Sequence, residues 1–167
     1  MKKIVFIALS IILTLSFWNC EKDDICAEDT PVTPRIIIEF YDATATETLK
    51  NVSNLVVAEP TFTSGILYSG TSKIEVPIRT NATTTTLNFI QNGGDTDTTN
   101  DNIDVVTFNY ATQNIYISRA CGYKTIFKLN TTNPLVITTD SNNWIQNTNI
   151  TQFNIENENE VHVKIYF

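Results

Sequence analysis

An all-β fold is what this sequence predicts: an antiparallel β-sandwich of about eight to ten short strands, with a small closed barrel as the alternative. Three observations carry the prediction. The 167 residues include 26 threonines and 19 asparagines, the first favouring strands and the second turns. Two segments, Lys73 to Arg79 and Glu160 to Phe167, alternate apolar and polar residues with the period of two that half-buried strands need. Leu, Met and Ala are too sparse for a helical bundle, and no helix of ordinary length is visible beyond the first two dozen residues.

Taken in order, Arg35 to Tyr41 reads as the first strand. Ile36, Ile38 and Phe40 share one face, and Ile37 on the other predicts cover on both sides. Val52 to Ala58 is a second strand, stopped near Pro60, and Phe62 to Tyr68 a third. After the turn Ser69-Gly70-Thr71-Ser72, Lys73 to Arg79 points Ile74, Val76 and Ile78 inward. Pro77 in that run has no amide hydrogen and places the strand at a sheet edge. Thr84 to Gln91 follows, with Leu87 and Phe89 on one face. Asn92 to Asn102 reads as a long polar loop. Ile103 to Tyr110 and Asn114 to Cys121 read as a hairpin across Ala111-Thr112-Gln113, with a bulge or sharp turn at Gly122. Lys124 to Leu129 and Leu135 to Thr139 are further strands. Trp144 to Ile155 is open between strand and short helical turn. In the last strand Val161, Val163, Ile165 and Phe167 face in, and His162, Lys164 and Tyr166 face out.

The N-terminus reads differently. Lys2 and Lys3 precede an apolar run, Ile4 to Phe17, and Cys20 follows. That run is short of the roughly 20 residues that cover a bilayer core. A positive start, a short apolar core and a cleavage site make an export signal rather than a lasting span. The segment resembles bacterial lipoprotein signals, although Phe17, Trp18 and Asn19 depart from the small residues usual before the cysteine. The resemblance implies lipid on the Cys20 sulfur, and two or more acyl chains hold a small domain on a membrane. Lys22-Asp23-Asp24 resembles the signal that sends Bacteroidota lipoproteins to the outer face of the outer membrane; a solvated acidic linker reads the same way. The organisation expected is therefore a signal peptide over 1–19, an acidic tether over 20–34 with Pro31 and Pro34, and one β-sandwich domain over 35–167.

The formal net charge is −7. Loss of Lys2 and Lys3 makes it more acidic still, which disfavours phosphate backbones and anionic headgroups. Nucleic acid is accordingly not an expected partner, and membrane attachment is assigned to lipid. With Cys20 committed to lipid, Cys26 and Cys121 remain as a disulfide pair, which an exported protein can form. The bridge closes a loop of about 95 residues and contributes about 4 kcal/mol in the chain-entropy account.

Catalytic constellations are scarce. His162 is the one histidine, read as solvated beside Lys164, and no G-x-S-x-G elbow is present to use it. The loop from Gly93 to Asp104 is the one metal-like segment. Asp95, Asp97, Asp101 and Asp104 offer carboxylates of the kind calcium takes, though not at EF-hand spacing. Asp97-Thr98-Thr99 in the same loop resembles the three-residue O-glycosylation site of exported Bacteroidota proteins, with Thr98 as the acceptor. Arg119 and Lys124 flank Cys121, Gly122 and Tyr123, and with Trp144 offer surfaces on which a sugar or an anion could rest. No cofactor is expected.

Four stretches resemble a family of small uncharacterised Bacteroidota lipoproteins that share a domain of unknown function. They are C-E-K-D-D-I-C from Cys20, T-P-R-I-I-I-E-F-Y-D from Thr33, S-R-A-C-G-Y-K-T-I-F from Ser118 and E-N-E-V-H-V-K-I-Y-F from Glu158. The resemblance implies an exported lipoprotein, with an outer-membrane β-barrel protein as a partner, and brings no catalytic residues. The function expected is a non-enzymatic outer-membrane lipoprotein that supports an envelope partner, on the periplasmic face or the cell surface. The alternative is a surface module binding carbohydrate or calcium.

Overall fold

A computed structural model describes Lys3, residues 25–62 and residues 64–167. Cys20 and its proposed lipidation, the apolar run and Lys22-Asp23-Asp24 lie outside the described residues. The strands are β1 (Ile36–Tyr41), β2 (Leu55–Ala58), β3 (Ile66–Tyr68), β4 (Lys73–Val76), β5 (Thr84–Gln91), β6 (Asn102–Ser118), β7 (Gly122–Leu129), β8 (Leu135–Ile137), β9 (Asn147–Ile150), β10 (Asn154–Ile155) and β11 (Val163–Tyr166). They form two sheets with no closed barrel, the sandwich that the alternation predicts. One sheet has the order β4-β1-β11-β9. The other runs β10-β7-β6-β5-β2-β3, with β8 also paired to β6.

The described chain divides into two compact units. Residues 25–31 and Tyr116–Tyr123 make the first; Val32–Ile115 and Lys124–Phe167 make the second. The second holds the core. Ile36, Ile38 and Phe40 of β1, Ile74 and Val76 of β4, and Val163 and Ile165 of β11 supply one inner face. Leu55 and Val57 of β2, Leu87 and Phe89 of β5, Val106, Phe108 and Tyr110 of β6, and Phe127 and Leu129 of β7 supply the other. Alternation is therefore kept on nearly every strand. β1 departs from it, because Ile37 is as fully buried as its neighbours Ile36 and Ile38, as a strand covered on both sides requires.

Three features differ from the sequence reading. The sheets are not wholly antiparallel: β1 and β11 pair in parallel, Ile38 opposite Val163 and Phe40 opposite Ile165. The two strands are joined by most of the chain rather than by a hairpin, so nothing forces them to run in opposite directions. Second, the hairpin expected across Ala111-Thr112-Gln113 does not exist. β6 runs unbroken from Asn102 to Ser118 and turns before Gly122. Ala, Thr and Gln carry no turn preference, whereas Gly122 takes φ of +69°, a conformation open to glycine at no steric cost. Third, Trp144 to Ile155 resolves into β9 and β10, with Trp144 and Ile145 buried ahead of them. Asparagine supplies the positive-φ turn residues outside glycine, at Asn54, Asn92 and Asn133.

His162 was expected to face solvent and is buried instead. Its Nδ1 accepts a hydrogen bond from the Ile37 amide at 2.9 Å, and its own amide donates to the Ile37 carbonyl at 3.0 Å. The residue thus serves as a clip that starts the β1–β11 pairing. Its ring takes the place of a ladder partner, which the alternation pattern alone cannot reveal. Arg35, just ahead of β1, holds the same end: its Nε and Nη2 each donate to the Glu158 carboxylate at 2.7 Å, and it also pairs with Glu75.

Burial pushes the His162 pKa below its ordinary 6.5, with the charges of Glu160 and Glu158 pulling weakly the other way. Well above pH 6.5 both folded and unfolded chains carry a neutral ring, so the residue gives no pH slope there. Below it the unfolded chain takes up a proton that the folded chain refuses. Stability then falls, by at most about 1.4 kcal/mol per pH unit, until the pH drops below the folded-state value. Urea midpoints measured from about pH 8 to about pH 5 are expected to show this decline, and a His162→Gln variant to be flatter over the first unit below neutrality. An unchanged slope in the variant would assign the decline to other groups.

Candidate functional site

The acidic loop does not assemble into a metal centre. Asp95 and Asp97 are exposed and committed to local turns, and Asp101 is half-buried. Asp95 Oδ1 accepts the Asp97 amide at 2.8 Å, and Asp97 Oδ1 accepts the Thr99 amide at 3.0 Å and the Thr99 hydroxyl at 2.6 Å. The Thr99 hydroxyl, and then its amide, hold the Asp97 carboxyl below its usual pKa. Asp104 belongs to a different environment. It is fully buried on β6, with Oδ1 accepting the Trp144 amide at 3.3 Å and Oδ2 the Ile145 amide at 2.8 Å. Among the described residues no three His, Cys, Asp or Glu side chains converge as a metal site. The spacing that places all four on one loop also lets β6 begin within it, and the strand turns Asp104 inward. Thr98 is exposed at the tip of that loop.

Trp144 is likewise structural. Its Nε1 donates to the Phe89 carbonyl at 3.1 Å, and its ring packs against Phe40 and Phe167. A buried indole whose one donor is satisfied has no face left for a sugar. The aromatic surface near Cys121 is open, by contrast. Cys26 and Cys121 form the disulfide predicted from the cysteine count, 95 residues apart in sequence. Around it Tyr123 and Tyr116 are exposed and meet edge to face with ring centroids 5.3 Å apart. Tyr116 escaped the sequence reading because it was placed mid-strand in a hairpin that does not form. Arg119 is exposed in the same turn, while Lys124 reaches the Glu156 carbonyl at 3.4 Å.

Nothing in the sequence marks the apolar cleft that lies in the second unit. It measures about 470 Å³ and is lined by Val57, Phe62, Ile66, Val76, Pro77 and Leu87, with Glu59 and Arg79 also in its wall. Arg79 donates to Glu59 through Nε at 2.8 Å and Nη2 at 2.6 Å. Gly65 is required beside it, since a Cβ there would come within 2.6 Å of the Val57 carbonyl oxygen. β3 is the edge strand along this cleft, and Ile66, Leu67 and nearby Phe62 are all exposed. Of the other edges, β8 (Leu135–Ile137) is likewise three apolar residues long, with Val136 exposed, while β4, β9 and β10 are guarded differently. β4 carries Lys73 and is followed by Pro77, β9 reads Asn-Thr-Asn-Ile, and β10 is two residues long. Charge, proline, polarity and shortness are the usual protections of an edge, and β3 has only its three-residue length.

The two roles of the loop aspartates separate in a stability measurement. Asp104→Ala leaves two buried amides without an acceptor and is expected to cost about 3 kcal/mol. Asp95→Ala, on an exposed turn, is expected to cost under about 0.5 kcal/mol. Urea unfolding of both, with and without calcium, checks this; equal losses, or a calcium-dependent rise in the parent, would return the loop to consideration as an ion site.

Comparison with known proteins yields a family and no activity. No curated protein and no solved structure gives a significant match. Residues 45–167, well over half of the chain and most of the sandwich, match the family described as "Family of unknown function (DUF6452)", and the chain belongs to that family.

Proposed function

We propose that this chain is a non-enzymatic lipoprotein of the bacterial outer membrane, held by acyl chains on Cys20, whose sandwich supports an envelope partner. The observation that carries the reading is the allocation of cysteines. Cys26 and Cys121 are bonded to each other, and such bonds persist outside the reducing cytoplasm. That leaves Cys20, immediately behind an export-type apolar run, as the thiol available for lipid. Within the family, the further proposal is that the protein is Bacteroidota-like in its signal and its address.

The partner proposed is an outer-membrane β-barrel protein, and the contact an extended segment of it laid along β3. An unguarded edge offers free main-chain donors and acceptors, and the neighbouring cleft offers a pocket for an apolar side chain. Those are the two components of recognition by strand addition. The charge pair Arg79–Glu59 beside the cleft gives the segment a polar border.

Two measurements test this. A Cys20→Ser variant is expected to leave the membrane fraction for the soluble one, and retention of the variant in the membrane would remove the anchor from the account. A photo-crosslinking residue at Leu67 is expected to give an adduct with a β-barrel protein of the outer membrane, identified by mass spectrometry, while the same residue at Asn147 on β9 gives none. A Leu67→Lys change made beside a crosslinker at Ile66 is expected to lower the adduct yield about tenfold, as loss of about 1.4 kcal/mol would. Equal yields at both edges, or recovery of the chain only with itself, would contradict the proposed contact.

A further inference from the structure

The turn closed by the Cys26–Cys121 bond carries a second surface, which the partner contact does not use. Its chain order is Tyr116-Ile117-Ser118-Arg119-Ala120-Cys121-Gly122-Tyr123, and residues 25–31 share its compact unit. Ile25 is 83 % exposed, Tyr116 58 % and Tyr123 68 %. These are large side chains for so small a unit, and they form a group: Ile25 and Tyr116 line one groove with Ala27 and Thr30, and Tyr116 meets Tyr123 ring to ring. The disulfide fixes the group, with Cα atoms of Cys26 and Cys121 5.0 Å apart and Cys121 Sγ 3.6 Å from Thr30 Oγ1. A hydrogen bond from the Cys121 amide to the Ser118 hydroxyl oxygen at 3.0 Å shapes the turn.

From the structure we infer that this turn rests on the bilayer surface, with Tyr116 and Tyr123 at headgroup level. The inference builds on the lipidated Cys20 proposed above. What identifies the occupant as a lipid surface is the length of chain between anchor and staple. Cys20 to Cys26 is six residues, which span at most about 20 Å when fully extended. Acyl chains at Cys20 therefore keep the disulfide, and the turn bonded through it, within about 20 Å of the interface. A tether that short raises the local concentration of membrane to the millimolar range, where even a weak interfacial preference is satisfied. Tyrosine has that preference, an apolar ring with a hydroxyl that stays wet. Charge adds little: residues 25–31 and Tyr116–Tyr123 hold one cation, Arg119, and two acids, Glu28 and Asp29. The surface suited to it is zwitterionic, and the docking should survive salt.

The experiment uses the mature chain from Cys20, with Cys26 and Cys121 oxidised and the Cys20 thiol coupled to a maleimide phospholipid in phosphatidylcholine vesicles. Tyr123→Trp supplies a reporter, and the parent, which keeps Trp144, supplies the baseline. Vesicles with brominated acyl chains are expected to quench the introduced indole about twofold beyond that baseline, equally at low and high salt. A Tyr116→Ser change in the same chain is expected to weaken the quenching. Emission equal to the baseline would overturn the inference, and quenching abolished by salt would replace the aromatic contact with an electrostatic one and overturn it too. Because the anchor is attached chemically, either failure counts against docking alone. Failure of the lipid reading would appear instead as membrane retention of the Cys20→Ser chain.

Discussion

Parallel pairing of the first strand with the last is the constraint around which the sandwich is arranged. β1 lies between β4 and β11, and both of its faces are closed to solvent. A strand in that position must satisfy its main chain on two sides and find apolar cover on two faces. The sequence Ile36-Ile37-Ile38 meets the second need. The His162 ring and the paired Ile37 and His162 main chains meet the first at the end where the ladder begins. Arg35 adds a charged clamp on Glu158 and Glu75 at the same place. The whole of the second sheet, with β4 and β9, lies in the chain between the two paired strands. Such long-range pairing is slow to form.

The cysteine bridge acts on a different scale. It contributes little to the core, since its unit holds few buried apolar side chains, but it converts a short leader into a positioned one. Without it, residues 25–31 would be an acidic spacer ahead of the domain. With it, the spacer between Cys20 and the fold is six residues rather than fifteen, and the aromatic turn around Cys121 is brought under the control of the N-terminus. The net charge of −7 fits the proposed attachment through lipid, since it disfavours anionic headgroups and nucleic acid.

How much of this was legible follows from which interactions are local. The alternation of Lys73 to Arg79, Thr84 to Gln91 and Glu160 to Phe167 is a property of neighbouring residues, and strands form there, β4 and β11 over the shorter spans Lys73–Val76 and Val163–Tyr166. β1 was legible too, with its double burial. The disulfide was legible from arithmetic, once the third cysteine is assigned the separate use expected of it. His162 was misread because alternation assigns a face and says nothing of a ring that hydrogen-bonds across a strand. Asp104 was misread because its partners, the amides of Trp144 and Ile145, stand forty residues away in sequence, a distance at which an acidic residue near other acidic residues looks like part of their loop. The false hairpin in β6 came from dividing a 17-residue strand, far longer than ordinary strands, to fit an ordinary length. The cleft beside β3 left no mark on the sequence, since its walls come from strands that meet only in the fold.

The most direct test of the account is the mass of the mature N-terminus, taken from the protein as exported by its native host. The account predicts a chain that begins at Cys20 and carries a diacylglyceryl thioether on its sulfur, with Cys26 and Cys121 absent from any thiol-alkylated fraction. A chain that begins elsewhere, or a position 20 without fatty acid, would contradict it.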